Sequence, residues 1–442
     1  MSYSKDNLAW LGTIPDHWQV SKLRQILSPF SEKNHPDMPL LSVVREKGVI
    51  IRNVESKEEN HNYVPDDLSN YKLVKKGQFT MNKMKAWQGS YGVSKYDGIV
   101  SPAYFVFNLK CDINRDFFNA AIRSKAYVNY FGRASDGIRV GQWDLSMARM
   151  KDIPLLVPPR EEQDQIVRFL DWKVSGINKL IAVKQKQIAT LKEFMQAEIE
   201  KQLCAYPVVS VVRLKQLGTF FKGGGFSRDN LVEDEEYPAI LYGDIYTQYE
   251  YKTSIITHHI DGTAYSASRK ILKGDIVMAG TGETKDEIGK SILYMGDQIV
   301  AAGGDVIVFH PNGGINVEYL LYQLYSQAAL KHRYINGKGD IIVHIYPTAL
   351  GNTIITLPGE DDRNKVVAII NEIIDQVKKA IAVLTDEISV LREYRVRLVA
   401  DTVTGKIDVR GIDIPEYEFV DEDTDNVDEN LEQGADEPPE EE

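Results

Sequence analysis

Two stretches of this chain carry apolar side chains at a seven-residue spacing, and they lie 200 residues apart. In the first, Leu170, Ile177, Lys184 and Leu191 take one position of the seven, and Val174, Ile181, Ile188 and Met195 take another. In the second, Ile370, Val377, Leu384, Leu391 and Leu398 take the first position, and Ile374, Ile381 and Ile388 the other. A heptad sustained over this length predicts helices packed along a seam. Residues 158–205 also align without a gap to residues 358–405: Pro158, Val167, Lys179, Ile181, Ala182, Val183, Ile188, Leu191 and Glu193 recur 200 positions on. Pro158-Pro159 and Pro358-Gly359 break the chain ahead of each helix. Glu161, Glu162, Asp361 and Asp362 suit the positive N-terminal ends. Each helix is expected to run roughly 40 residues, about 60 Å at about 1.5 Å per residue. The two are expected to pair antiparallel.

The segments ahead of the helices repeat more weakly. VSKLRQIL at 20–27 resembles VVRLKQLG at 211–218, and LVKKGQF at 73–79 resembles ILKGDIV at 271–277. Both copies end on an apolar run before proline, IPLLVP at 153–158 and TIITLP at 353–358. Short β-branched and aromatic runs broken by Gly and Asp, such as residues 98–107 and 297–309, read as strands and turns. Residues 116–131 and 317–334 read as helices. The expected plan is α+β: a globule at 14–158, a spacer helix at 159–206, a second globule at 207–357, a second helix at 358–410, and a tail at 411–442.

Charge changes this picture only at the end of the chain. The net charge is −12, yet residues 411–442 hold 15 acidic side chains and no Lys or Arg. The rest has 52 basic against 49 acidic side chains, a net of +3. A nearly neutral body can present basic patches to nucleic acid, while the tail is expected to stay solvated and disordered. Cys111 and Cys204 form no metal or disulfide pattern, and no apolar run approaches the length of a membrane span. The start of the chain has no secretory signal pattern. A cytoplasmic protein with no membrane partner is expected.

Catalytic patterns fail one by one. GKS at 289–291 lacks the upstream glycine of a phosphate loop, since Thr284 stands there. Asp275, Glu283 and Lys285 mimic a nuclease triad, but the spacing is loose and the first globule has no equivalent. His258 and His259 are neighbours and would point to opposite faces of a strand, which disfavours a shared metal. Neither an adenine-methyltransferase motif nor a dinucleotide fingerprint appears. No catalytic, cofactor or metal residue is assigned.

Several segments resemble a known family. IPDHW at 14–18 with KLRQI after it, NKMKAWQGSYGV at 82–93, DGIVSPAYFVF at 97–107, GIRVGQWDLS at 137–146, PPREEQDQIVRFLD at 158–171 and VTGKIDVR at 403–410 are similar to recurring segments of Type I restriction-modification specificity subunits. The second globule lacks AWQG and GQWDL, so its place rests on the repeat plan. The resemblance implies two target recognition domains that each read half of a split site in double-stranded DNA. It also implies two helices that space them and dock two methyltransferase subunits, with restriction and translocase subunits completing the complex. S-adenosylmethionine, ATP and Mg would then be held by those partners, and no cofactor by this chain.

Base edges and phosphates are read by Arg, Lys, Asn and Gln. The candidates are Lys83, Lys85, Trp87, Gln88, Arg133, Arg139 and Gln142 in the first globule. In the second they are Lys222, Arg228, Arg269, Lys285, Lys331, Arg333 and Lys338. The expected helix seam comprises Leu170, Val174, Ile177, Ile181, Ile188 and Leu191 with Ile370, Ile374, Val377, Ile381, Leu384, Ile388 and Leu391. Other readings stay open: a coiled-coil scaffold for proteins, a DNA-reading module of another methylation-dependent defence system, and a nuclease.

Overall fold

The computed structural model describes residues 8, 10, 11, 14–52, 64, 65, 67–110, 112–135, 145–232 and 237–421. Arg139, Gln142 and the acidic run beyond Asp421 lie outside them. The chain divides into two compact units, residues 1–185 with 385–442, and residues 186–384.

In the first unit the recurring elements are strands β1 (Gln19–Lys22), β2 (Leu27–Phe30), β3 (Phe79–Asn82), β4 (Tyr91–Val93), β5 (Tyr104–Leu109) and β6 (Pro154–Val157), with helices α1 (Arg115–Ile122) and α2 (Lys125–Ala134) and the long α3 (Arg160–Leu203). The second unit repeats them as β7 (Ser210–Arg213), β8 (Gly218–Lys222), β9 (Ile276–Ala279), β10 (Ser291–Tyr294), β11 (Val306–Pro311), α4 (Val317–Leu324), α5 (Gln327–Asn336), β12 (Ile354–Leu357) and the long α6 (Glu360–Val403). Neither long helix forms a unit of its own, because each contributes one half to either unit.

The repetition holds residue by residue. The sheet order β2-β5-β3-β4 recurs as β8-β11-β9-β10, with the strand Lys252–Thr253 added at the edge. Phe79 sits opposite Phe107 and Val93, as Ile276 sits opposite Phe309 and Leu293. Thus β3 and β9 are equivalent strands in equivalent register. Each is entered through a glycine of positive φ, Gly77 (87°) or Gly274 (90°), where a side chain would be strained. Next to it, Gln78 donates to Asn108 (2.7 Å) in the first unit, while in the second Asp275 meets His310 (2.5 Å). Asn114 caps α1 and Asn316 caps α4, each accepting from backbone N–H groups of the first turn.

The cores differ at one swap. In the first unit Phe131 of α2 packs on Tyr91 of β4, ring centroids 4.6 Å apart, and Arg123 donates to the Tyr91 carbonyl (2.5 Å). In the second unit arginine moves to the α5 site: Arg333 stands at the place of Phe131, Ser291 at that of Tyr91 and Tyr325 at that of Arg123. Arg333 donates to the Gly289 carbonyl (2.5 Å) and the Ser291 hydroxyl (3.3 Å), and the Tyr325 hydroxyl donates to the Ser291 carbonyl (2.6 Å).

Every expected seam position is buried or half-buried: Leu170, Val174, Ile177, Ile181, Ile188 and Leu191 on α3, and Ile370, Ile374, Val377, Ile381, Leu384, Ile388 and Leu391 on α6. Burying such side chains contributes roughly 1.5–3 kcal/mol each. Within the first unit the pairing is antiparallel: Lys184 reaches Glu387 (2.6 Å), and Asn178, six residues earlier, accepts from Arg395 (2.8 Å). The lysine in the apolar heptad is thereby paired. Within the second unit Ile199 and Leu203 share a core with Val366, Val367, Ile370 and Ile374, the same antiparallel sense.

The tail boundary differs from expectation. Residues 418–420 are tied to α3, because Ser175 bonds to the Glu418 carbonyl (2.9 Å) and the Val420 N–H (2.6 Å), and Asn178 donates to the Val420 carbonyl (3.1 Å), although most of residues 413–421 are exposed. Among the described residues no helix is long and apolar enough to cross a membrane.

Candidate nucleic-acid interface

The equivalence of β3 and β9 places the two candidate clusters at the same strand end. Asn82 and Ala279 are the last residues of these strands, so Lys83–Gln88 and Gly280–Lys285 leave their sheets from matching points.

In the first unit this segment is a tight turn. Asn82 accepts from the Met84 N–H (3.1 Å), residues Ala86–Gln88 form one 3-10 turn, and Gly89, at φ 96°, returns the chain to β4. Lys85 is exposed, while Lys83, Trp87 and Gln88 are half-buried. The turn packs on α2, where Gly132 lies against the Trp87 carbonyl, so the exposed Arg133 stands beside it. Five candidates are therefore brought together. The structure adds Lys33 and Lys72. Burial, together with the like charges of Lys33 and Lys83, pushes the Lys72 ammonium below its ordinary value. Its head donates to the Tyr104 carbonyl (2.6 Å). Three lysines drawn from positions 33, 72 and 83 make a concentration of positive charge suited to phosphate. Nothing in the sequence around Lys33 or Lys72 marks them, since they meet only through the sheet.

In the second unit the corresponding surface is mixed in charge. Lys222, at the end of β8, bonds to Asp305 (2.7 Å). Burial would raise the Asp305 carboxyl, but hydrogen bonds from Lys222 and Thr281 and the nearby His344 hold it below the ordinary carboxylate value. His344 bonds to Thr281 (2.9 Å), and Lys338 pairs with His344 through two backbone bonds. Lys285 faces Asp340 at 3.8 Å. Lys222 and Lys338 thus share one surface through Asp305, Thr281 and His344, and Lys285 faces Asp340, two residues on from Lys338. Arg269 lies over the Phe221 ring, 5.7 Å from its centroid, next to the loop of Gly223–Gly225. That loop needs glycine: a side-chain carbon at Gly223 would fall 2.3 Å from the Gly303 carbonyl. Arg228 and Lys331 are exposed.

Arg333 is a correction. It is only 4% exposed and its guanidinium is spent on the Gly289 carbonyl and Ser291, so it holds the core and reads no base. The nuclease-like set is dispersed too. Asp275 stands before β9 and Glu283 and Lys285 after it, with the whole strand between them. Among the described residues no cluster of His, Cys, Asp and Glu could hold a metal ion.

Residues 15–192 match the family model of the Type I restriction modification DNA specificity domain. No curated protein matches the chain. Among solved structures the chain is similar to one from work on complex assembly and conformational transition of the type I R-M system, at 14% identity and TM-score 0.62, over 89% of this chain and 100% of that one. It is also similar to the HsdS subunit from Thermoanaerobacter tengcongensis (15% identity, TM-score 0.43, 89% and 98% covered). A third is the Type I restriction-modification S subunit from M. genitalium (13%, 0.32, 88% and 96%). The first of these likenesses extends the fold over both units.

Proposed function

We propose that the whole chain is the specificity subunit of a Type I restriction-modification complex, reading a bipartite site in double-stranded DNA with one half read by each unit. The observation that carries this reading is the equivalence of β3 and β9, which presents a divergent loop from the same strand end twice. A shared frame with different loops is what two different half-sites require. In the first unit Lys33, Lys72, Lys83, Lys85 and Arg133 would contact phosphates, with Gln88 near base edges. In the second, Lys222, Arg269, Lys285 and Lys338 would do so. The halves of α3 and α6 would dock two methyltransferase subunits, and restriction subunits would join them. Adenine methylation with S-adenosylmethionine, and any ATP- and Mg-dependent translocation and cleavage, would belong to those partners and not to this chain. A cytoplasmic location goes with that role.

The test is exchange of residues 14–158 for the matching segment of another such protein, followed by genome-wide mapping of methylated adenines. One half of the methylated motif should change and the other stay. A change in both halves, or in neither, would overturn the reading. A coiled-coil scaffold would leave methylation untouched by any such exchange.

A further inference from the structure

The two units share a frame, but the chain covers it differently in each. In the first unit Trp10 packs on α2, and residues 405–412 pack beside Trp18, the residue before β1, and on α3. Trp10 stacks on Tyr130 (4.5 Å) and meets Tyr127 edge-on (5.2 Å), and the Tyr127 hydroxyl accepts from the Leu156 N–H of β6. Leu8 and Leu11 are buried there. On the other side Gly405 lies against Pro15 and Trp18, and Gln165 donates to the carbonyls of Val409 and Ile412. Among the described residues the second unit has neither cover, since its chain runs from α3 directly into β7.

The consequence is visible in the equivalent side chains. Trp18 and Phe169 of the first unit are 6% and 4% exposed, and Pro154, which corresponds to Ile354, is buried. Val209, which corresponds to Trp18, is 75% exposed, Val211 on the same strand face 62%, Ile354 on β12 58%, and Ile369, which corresponds to Phe169, 38%. The charges differ in the same place. In the first unit Lys22 and Arg24 both bond to Asp152 (2.9 and 2.8 Å). Their counterparts are Arg213 and Lys215, and the counterpart of Asp152 is the uncharged Asn352, which meets Arg213 at 3.4 Å. Neither cation has a carboxylate partner among the described residues.

We propose that Val209, Val211 and Ile354, with Arg213 and Lys215, dock an extended apolar segment bearing a carboxylate, supplied by one of the two methyltransferase subunits. This rests on the function proposed above. The occupant's chemistry follows from the first unit, where the chain itself places apolar side chains and a carboxylate at the corresponding positions. Only one unit has this surface open, so the two subunits bind with unequal affinity.

The experiment is a titration of the full chain with the methyltransferase subunit encoded beside it, followed by native mass spectrometry. The wild-type chain should bind two copies in separable steps. Val209→Lys with Val211→Lys should weaken the tighter step on the order of tenfold, the loss expected from a disrupted contact centre, and leave the weaker step alone. Asn352→Asp, a residue the first unit already tolerates at the matching position, should weaken that same step by neutralising Arg213 and Lys215. Two unchanged steps in both variants would overturn the proposal. A wild-type chain that binds no methyltransferase subunit would instead overturn the broader reading, and with it this one.

Discussion

Asp275 illustrates how one frame tolerates two chemistries. Its carboxylate is 1% exposed and accepts from the Leu272 N–H (2.8 Å) on one oxygen and faces His310 on the other. Burial pushes this carboxyl above its ordinary value, against the opposing bonds from Leu272 and His310. The first unit holds the uncharged pair Gln78 and Asn108 in the same register. A raised pKa in the folded state means that the folded unit keeps its proton more readily than the unfolded chain. The carboxyl therefore contributes nothing below about pH 4, where both states are protonated, and costs stability as pH rises through the raised value. Asp275→Asn keeps the acceptor and removes the charge. It should flatten the decline in melting temperature as pH rises above about 4. A slope identical to that of the wild type would show that burial of this charge does not govern the dependence. DNA cleavage by the assembled complex should be unaffected.

At the scale of the element, the long helices owe their order to a seam that their polar faces do not share. Ile374 is 4% exposed and packs in the core with Ile199 and Leu203, whereas Val383, nine residues on, is 58% exposed. Ile374→Ala should cost about 2–5 kcal/mol, since the cavity it leaves is walled by two helices and a sheet. Val383→Ala should change stability by less than about 0.5 kcal/mol. Urea unfolding followed by circular dichroism separates these outcomes, and equal effects at the two sites would contradict the seam. The heptad positions were legible because period and register are local properties of the chain. The pairing of Lys184 with Glu387 was not, since a lysine in an apolar stripe is explained only by what stands across from it.

At the scale of the whole molecule, two exposed apolar positions of the helices recur at the offset of 200 that the seam follows, 183 with 383 and 194 with 394. Val183 and Tyr394 are 49% and 53% exposed in the first unit, and their counterparts Val383 and Phe194 are 58% and 51% exposed in the second. A surface that occurs twice fits a partner that binds twice. Val183→Glu with Tyr394→Glu should remove one methyltransferase subunit from the complex, and the matching pair of changes in the second unit the other. Sedimentation of the purified complexes would measure this, and full occupancy in both double variants would place docking elsewhere.

The sequence by itself determined the helices, their seam, their repetition and the α+β character of what precedes them. All of these follow from periodicity and from the turn chemistry of proline and glycine, which act between near neighbours. It also carried the family resemblance of the first unit, through short segments such as NKMKAWQGSYGV. Tertiary structure decided which cations share a surface. Lys33, Lys72 and Lys83 converge because three separate segments meet at one end of a sheet, while Arg333 turns inward because Ser291 leaves it the space and the acceptors that Tyr91 denies. It also decided that Trp10 and residues 405–412 pack on the first copy of a repeated frame, with no equivalent on the second among the described residues. That asymmetry joins segments far apart in sequence, and no local pattern of residues encodes it.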